Sequence, residues 1–402
     1  MKGILKKWSE SSLVLRICIG MLLGAVLGVL LPAWKWIGIF GSVFVGALKA
    51  IAPVLVAVLV AASIASAGGG LGRRFRTVIL LYLVSTLGAA LVAVAGSFLF
   101  PVSLQLGQSA QGSGPSSITD VFRNLITNIV ANPLDAVVSA NYIGILFWAI
   151  LAGLALKTLA SRETIRVVSD FADTVTLMVK WVIQFAPFGI MGLVFSAVSE
   201  SGLESFVVYG KLILLLLGCM FFNVLVMNPL LAFVSTRKNP YPLLWQCLKE
   251  SGVSAFFTRS SAANIPVNME LCRKLGLERD FYSVCIPLGA TVNMNGAAVT
   301  ITVMSMAVAN TLGIQVDFAT ALMLSFIAAL GACGTSGVAG GSMLLVPMAC
   351  SFLGIGNDIA MQAVGVGFII GVVQDSVETA MNSSSDVFFA AIAEMADKNK
   401  KS

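Results

Sequence analysis

A polar stretch near the C-terminus, QDSVETAMNSSSD (Gln374 to Asp386), lies inside a long apolar segment. On a helix with about 100° per residue, its polar side chains share one stripe about 100° wide: Asp375, Glu378, Thr379, Asn382 and Asp386. Ionisable side chains in mid-membrane cost a few kcal/mol or more and mark a substrate or ion pathway. No Lys or Arg is near them in sequence, so these carboxylates need another cation: a transported metal ion, a substrate ammonium, or Arg259. The apolar flanks VGVGFIIGVV and VFFAAIA disfavour the alternative of a helix end in water.

The tetrapeptide NMNG, Asn293 to Gly296, places two amides and a glycine at the centre of an apolar span. A helix broken here frees backbone carbonyls, and carbonyl, amide and carboxylate oxygens are the ligands of hard monovalent cations. The alternative is a glycine kink with interhelical hydrogen bonds from the asparagines. Paired with Asp386, the pattern favours a cation site.

Two Gly/Ser-rich stretches complete the polar set: TRSSAANIP (Thr258 to Pro266) and GACGTSGVAGGS (Gly331 to Ser342). Each offers backbone N–H groups and the N-terminus of a half-helix, which favour an anion such as a carboxylate. Two such turns that met the acidic stripe would form a site with donors at one end and carboxylates at the other. That polarity suits the zwitterion of an amino acid.

The elements that carry these residues are those of a membrane protein. Of the 402 residues, 58% are apolar and 11% are charged, whereas soluble domains carry about a quarter charged residues. The formal charge of +6 comes from Lys and Arg at the ends of spans without aromatic interleaving, so no nucleic-acid partner is expected. No histidine is present, and the seven cysteines show no CxxC pairing, which indicates neither a zinc site nor a disulfide framework.

Positive charge concentrates in alternate connections, which by the positive-inside rule are cytoplasmic, so both termini lie inside. Basic groups at 237–238 and 273–279 fall on the same side, and the stretch between them must be a re-entrant hairpin. The same counting makes 318–352 a second hairpin that enters from outside. The C-terminal half therefore has the order hairpin, broken span, hairpin, span. This is an inverted pattern, which in transporters surrounds the central site. We divide the chain into early spans (1–240), a transport core (241–397) and a cytoplasmic tail (398–402).

Four motifs, TRSSAANIP, PLGATVNMNGAA, GTSGVAGGS and DSVETAMNSSSD, follow in order and spacing those of the dicarboxylate/amino acid:cation symporters, the family of the archaeal aspartate and mammalian glutamate transporters. The chain resembles this family over nearly its whole length. The resemblance implies an all-α integral membrane fold with eight transmembrane helices, two re-entrant helical hairpins, an inverted-repeat transport core and elevator-type motion. It also implies a secondary active transporter, not an enzyme, that forms a homotrimer in the lipid of the cytoplasmic (inner) membrane through a scaffold of early spans and co-transports Na+.

The resemblance carries over site residues by position. Asp375 is expected to bind the substrate's ammonium, with help from Thr379. Asn382 and Ser261 are the expected partners of the α-carboxylate. Val338 and Gly340 belong to the second hairpin, which acts as the gate, and Arg259 is expected near the acid. One sodium site is expected at Gly289, Asn293, Asn382 and Asp386, and another at Met294 and the carbonyls near Thr291, Ala332, Cys333 and Thr335. Ser85 and Thr86 match the hydroxyl pair of a third site.

Three positions depart from the members that carry acidic substrates. Glu378 stands where those members have an Arg that grips the substrate's side-chain carboxylate, so it should repel aspartate or glutamate by several kcal/mol. Ala297 replaces a threonine, and Asn295 replaces an aspartate of the third sodium site, which predicts fewer coupled ions. The prediction is sodium-coupled uptake of small neutral amino acids, serine and threonine above all, because their hydroxyl can donate to Glu378. Within the family, the chain is most similar to the bacterial serine/threonine sodium symporters.

Other functions stay open on the residues alone. Glu378 could pair with the ammonium of a cationic amino acid, and acidic substrates or a passive channel are further alternatives. An intramembrane protease is disfavoured, because no histidine is available and Asp375 and Asp386 lie three turns apart on one helix instead of facing each other.

Overall fold

A computed structural model describes residues 11, 13–66, 73–106, 130–202, 204–335 and 339–398. In these parts of the chain every regular element is a helix. Lipid offers no hydrogen-bond partner, and a helix satisfies its backbone N–H and C=O groups within its own segment. The prediction of an all-helical, multi-pass membrane protein is confirmed at this level.

The α-helices follow one another as Leu13–Leu30, Gly38–Ser66, Arg73–Leu99, Pro133–Val138, Tyr142–Leu159, Arg162–Gln184, Ala186–Ser201, Glu204–Phe222, Asn228–Thr236, Tyr241–Cys247, Val253–Thr258, Ser261–Lys274, Arg279–Val292, Asn295–Thr311, Phe318–Ala332, Val346–Phe352 and Asn357–Lys398. Short 3-10 turns cover Lys35–Ile37 and Ser342–Leu345. Two π-helical turns, Asn223–Met227 and Leu248–Gly252, join the helices on either side of them.

Six helical stretches in the described residues are long and apolar enough to cross a membrane: Lys35–Ser66, Arg74–Leu99, Tyr142–Leu159, Val207–Thr236, Arg279–Thr311 and Asn357–Asp397. A seventh results if Arg162–Gln184 and Ala186–Glu200, which meet at 54°, count as one bent span. Pro187 lies in the first turn after the bend, where its missing N–H interrupts the helix. Leu15–Leu30, Phe318–Ala332 and Ser342–Phe352 are apolar but shorter.

A first helix group is formed by residues 13–66 and 142–201, whose helices pack on one another. Glycines four residues apart on the first helix allow the closest of these contacts. A Cβ at Gly20 would lie 2.1 Å from the carbonyl oxygen of Pro187, and one at Gly24 would lie 2.4 Å from that of Met191. Small residues at this spacing let two helix backbones touch, which is how helices associate in lipid.

A second helix group combines residues 73–99 and 204–236 with everything from 241 to 398. These elements surround the last helix, Asn357–Lys398, which has 42 residues and is about 63 Å long at 1.5 Å per residue. That length is about twice the thickness of a hydrocarbon core. The last helix therefore passes the whole depth of the second group and contacts most of its elements.

Hairpin 1, residues 241–274, turns at Arg259 and Ser260. Arg259 has left-handed backbone geometry (φ 51°), Ser260 is extended, and the Ser260 hydroxyl caps the second arm. The arms lie side by side, since Ser251 Oγ donates to Asn268 Oδ1 at 2.5 Å. The chain reversal brings Arg259 to the deepest point of the hairpin.

The broken helix, residues 279–311, is interrupted at Asn293 and Met294, as NMNG predicted. Hairpin 2, residues 318–352, has two arms that contact each other. Val338, one of the residues expected in its gate, lies outside the described residues. Hairpin 1, the broken helix and hairpin 2 all pack against the last helix or its neighbours, so the polar motifs are brought to one place.

Candidate functional site

Asp375 on the last helix is the point where the two hairpins meet. Arg259 of hairpin 1 donates from Nε to Asp375 Oδ2 at 2.7 Å. The backbone N–H of Gly340 in hairpin 2 donates to Asp375 Oδ1 at 3.0 Å. Arg259 also reaches the carbonyl oxygen of Gly371 at 3.3 Å. The carboxylate is 2% exposed, so a cation and a backbone donor share one buried acid.

Glu378, one turn further along, is held from three elements at once. Its Oε2 accepts hydrogen bonds from Thr300 Oγ1 of the broken helix (2.6 Å), Ser342 Oγ of hairpin 2 (2.8 Å) and Gln374 Nε2 of the last helix (2.5 Å). Gln374 Nε2 also donates to Thr300 Oγ1 at 2.6 Å. A Cβ at Gly296 would lie 3.0 Å from Glu378 Cγ, so the glycine leaves room for the glutamate side chain. Three donors compensate the burial of this carboxylate.

Asp386 lies in a second buried site that faces the break in the broken helix. Asn293 Nδ2 donates to Asp386 Oδ1 at 2.9 Å and to Ser385 Oγ at 2.7 Å, and the Tyr82 hydroxyl donates to the Asp386 backbone carbonyl at 3.1 Å. Gly289 permits this packing, because a Cβ there would lie 2.7 Å from Asp386 Oδ1. Within the described residues, no donor reaches Asp386 Oδ2 or Asn293 Oδ1, although both are buried. A hard cation satisfies such oxygens.

Asn382 lies between the two acidic sites. Its Oδ1 accepts the backbone N–H of Gly296 at 2.7 Å, and its Nδ2 donates to Met294 Sδ at 3.4 Å. The Thr379 hydroxyl donates to the carbonyl one turn earlier in its own helix at 2.7 Å, so it bonds the backbone and not the Asp375 carboxylate. Ser261 is buried at the first position of the second arm of hairpin 1.

Of the residues expected at another sodium site, one joins hairpin 2 to the broken helix. Cys333 Sγ donates to the carbonyl oxygen of Val292 at 3.3 Å, which joins the end of a hairpin arm to the helix break. The carbonyl of Ala332 accepts from the N–H of Thr335 at 3.0 Å and from its hydroxyl at 2.8 Å. The Thr291 hydroxyl donates to a carbonyl of its own helix at 2.9 Å. The structure brings Cys333 to the break, whereas both threonine hydroxyls bond to adjacent backbone.

Ser85 and Asn295 belong to a buried chain of neutral hydrogen bonds. Asn295 Nδ2 donates to Ser85 Oγ at 3.1 Å and to Ser385 Oγ at 3.2 Å, and Ser85 Oγ donates to Asn228 Oδ1 at 2.7 Å. The Thr86 hydroxyl donates within its own helix at 2.8 Å. The Ser85 hydroxyl therefore faces an amide N–H and an amide oxygen, and both Asn295 and Asn228 are neutral.

The family model described as sodium:dicarboxylate symporter family matches residues 13–395. The chain belongs to this family. Membership makes the protein a symporter and not an enzyme, and it implies transport coupled to sodium.

Relatives of the symporter are similar over almost its whole length. The serine/threonine transporter SstT of Bifidobacterium adolescentis is 58% identical over 394 residues, which cover 98% of this chain and 92% of the relative. The protein of the same name from Streptococcus thermophilus is 52% identical, with 98% of each chain covered. That of Streptococcus agalactiae is 53% identical over 403 residues, which cover 100% of both chains.

The donors to Glu378 in this symporter were missed at the level of sequence. Part of the signal was present, because Gln374 precedes Glu378 by one helical turn and Ser342 ends the second Gly/Ser-rich stretch. Thr300 carries no local signal, since it lies 78 positions from its partner. A search for hydrogen-bond donors one helical turn away from Glu378 would have found only Gln374.

Proposed function

We propose that this symporter takes up small neutral amino acids, serine and threonine above all, together with sodium. The observation that carries the proposal is the Glu378 carboxylate, buried beside Asp375 where a carrier of acidic substrates needs a cation. At short range it repels the side chain of aspartate or glutamate by several kcal/mol, whereas a substrate hydroxyl can donate to it. The relatives' shared name, serine/threonine transporter, supports the same substrates.

A cationic amino acid is the nearest rival substrate, because a carboxylate attracts an ammonium. Three protein donors already compensate Glu378, so its burial does not require a substrate cation. This hydrogen bonding favours a neutral side chain over that of lysine.

Asp375 is the proposed partner of the substrate's ammonium. Arg259 holds that carboxylate in the present arrangement, and a substrate ammonium would share or replace its positive charge. Donors for the α-carboxylate are then available from Asn382 and from the N-terminus of the helix that begins at Ser261, where the helix dipole favours an anion.

Sodium is proposed to bind at Asp386 and Asn293, since each has a buried oxygen that no described residue donates to. A second ion is proposed near Met294 and the carbonyls at the end of the first arm of hairpin 2. The chain of hydrogen bonds through Asn295 and Ser85 supports the absence of a third ion, because a neutral amide that donates its N–H, and not a carboxylate, faces the Ser85 hydroxyl.

The proposed topology has eight spans and two re-entrant hairpins, with Leu13–Leu30 as the first span and both termini in the cytoplasm. Hairpin 1 enters from the cytoplasm and hairpin 2 from outside, which makes the core an inverted repeat in the inner membrane. The basic residues of alternate connections support this orientation. Residues 1–240 supply the scaffold of a homotrimer and part of the moving domain, and 241–397 supply the rest of that domain.

Elevator motion is proposed as a shift of the second helix group along the first. One contact supports it: Lys49, about three turns into Gly38–Ser66, forms an ion pair with Asp358 in the first turn of the last helix. The start of the last helix therefore lies beside the middle of a helix in the first group. A shift of the second group along the first would break this ion pair. Apolar residues of the first group, such as Ile17 and Ile190, close the cleft beside Asp375.

Uptake of labelled serine into proteoliposomes tests the proposed function. A sodium gradient should drive accumulation, and unlabelled serine and threonine should compete strongly, alanine less, and aspartate or lysine hardly at all. Dominant competition by aspartate or lysine would exclude a neutral substrate. Equilibration without accumulation, or uptake that persists when choline replaces sodium, would contradict coupled transport.

A further inference from the structure

We propose that the two oxygens of Glu378 have different tasks: Oε2 holds hairpin 2 against the last helix through Ser342, and Oε1 receives the hydroxyl of the substrate. This inference rests on the proposed function and specifies how the site would select among neutral amino acids. All three hydrogen bonds to the carboxylate end on Oε2, and within the described residues none ends on Oε1. One carboxylate can therefore serve the hairpin and the substrate at the same time.

Hairpin 2 is fastened to the last helix at two acids. The Gly340 N–H binds Asp375 Oδ1 at 3.0 Å, and the Ser342 hydroxyl binds Glu378 Oε2 at 2.8 Å. Ser342 is 1% exposed, so these hydrogen bonds are shielded from water. Both must break before this part of the hairpin can leave the helix. Because the acceptors are the carboxylates assigned to the substrate, binding and the position of the hairpin depend on the same two groups.

Thr300 and Gln374 act as positioning residues for Glu378. Both are fully buried, and the Gln374 amide joins them by donating to Thr300 Oγ1 and to Glu378 Oε2. The stem of the glutamate passes close to Gly296, where a Cβ would lie 3.0 Å from Glu378 Cγ. With Oε2 held by Thr300 and Gln374, the carboxylate presents Oε1 in one direction.

The two tasks predict different substrate dependence. Loss of the Ser342 hydroxyl weakens the attachment of hairpin 2 and should affect serine and alanine alike. Loss of the Thr300 hydroxyl lets the carboxylate reorient, which should affect serine, whose hydroxyl needs Oε1, more than alanine, which has none. A hydrogen bond to a buried charged group discriminates strongly between ligands that have and lack the partner.

The role of Ser342 in attaching hairpin 2 is tested by measuring serine and alanine uptake into proteoliposomes that contain the full chain and are driven by a sodium gradient. Ser342→Ala should raise KM for both substrates about tenfold, a factor that corresponds to about 1.4 kcal/mol, with a smaller change in maximal rate. Ser342→Thr should bring KM most of the way back to the wild-type value. Ser325→Ala is the matched control, because Ser325 is a buried serine of the same hairpin whose hydroxyl binds its own helix at 3.0 Å.

The positioning role of Thr300 is tested with the substitution Thr300→Val, and Thr302→Val is the control. Thr302 is also fully buried on the broken helix, and within the described residues its hydroxyl has no partner. Thr300→Val should lower the preference for serine over alanine about fivefold, while the control keeps the wild-type ratio.

Specific outcomes would overturn the two-task assignment. Unchanged KM values in Ser342→Ala would do so, as would a loss confined to serine, because Ser342 would then read the substrate's hydroxyl directly. An equal loss of serine and alanine in Thr300→Val would also contradict it. In each case sodium-driven serine uptake by the wild type would leave the proposed function standing, whereas its absence would refute that function itself.

Discussion

Gly289 offers a sharp test of the proposed sodium site, because it is the place where a single methyl group would press on the acid. In Gly289→Ala the new Cβ would lie 2.7 Å from Asp386 Oδ1 and 2.9 Å from the hydroxyl of Tyr82. Ordinary Cβ contacts begin at 3.4 Å, so the carboxylate would have to move by about 0.7 Å (3.4 − 2.7). Tyr82 is fully buried and also holds the Asp386 backbone, which restricts the space available for this shift.

A displacement of this size should weaken sodium binding measurably. Oxygen ligands of a hard cation keep to a range of a few tenths of an ångström, and overpacking a tight site costs about 1–3 kcal/mol. The sodium concentration for half-maximal serine uptake should therefore rise about 5- to 140-fold, at 1.4 kcal/mol per factor of ten. Uptake is measured in proteoliposomes against sodium at constant ionic strength, with serine saturating.

Gly252→Ala provides the matched control, since Gly252 is also a buried helical glycine of the second group but its Cβ would find its nearest neighbours at an ordinary 3.6 Å. It should keep the wild-type sodium dependence. If Gly289→Ala also kept that dependence in a protein of normal expression and monodispersity, sodium would not bind at Asp386, and the oxygens without donors there would not be its ligands.

Three further substitutions test the other assignments. Asp375→Asn should reduce serine uptake about 100-fold or more at unchanged expression, because it removes the charge that pairs with an ammonium; retained uptake would overturn that pairing. Glu378→Arg should abolish serine uptake and create weak, sodium-dependent aspartate binding in a calorimeter, limited by Ala297; intact serine uptake would contradict the specificity argument. Asn295→Asp adds a carboxylate beside Ser85 and should raise the Hill coefficient for sodium, whereas an unchanged coefficient would count against the amide as the reason for fewer ions.

The breaks in the helices were predictable from local sequence. NMNG interrupts an apolar run, and the structure ends one helix at Val292 and begins the next at Asn295. The turn of hairpin 1 was equally readable, because a polar Arg-Ser-Ser run between apolar arms can be buried only where protein surrounds it. Both signals are changes of composition within a few residues.

The grouping of the spans could not be read in the same way. Arg73–Leu99 lies between helices of the first group in sequence, yet it packs with the C-terminal part of the chain. Its composition is as apolar as that of its neighbours, because lipid and a helix interior accept the same side chains. Which early spans join the second helix group is consequently decided by packing and not by the sequence pattern.

The last helix shows where local information stops. A period of 3.6 residues already places Asp375, Glu378 and Asp386 on one face, and the cost of a charge in lipid already makes that face functional. Apart from Gln374, one turn before Glu378, what each acid meets depends on residues far away in the chain: Arg259 at Asp375, Thr300 and Ser342 at Glu378, and Asn293 at Asp386. No short-range rule encodes these distant partners, because the hairpins and the broken helix reach the acids only once the second group has packed. These partners distinguish the proposed ammonium, hydroxyl and cation sites from one another.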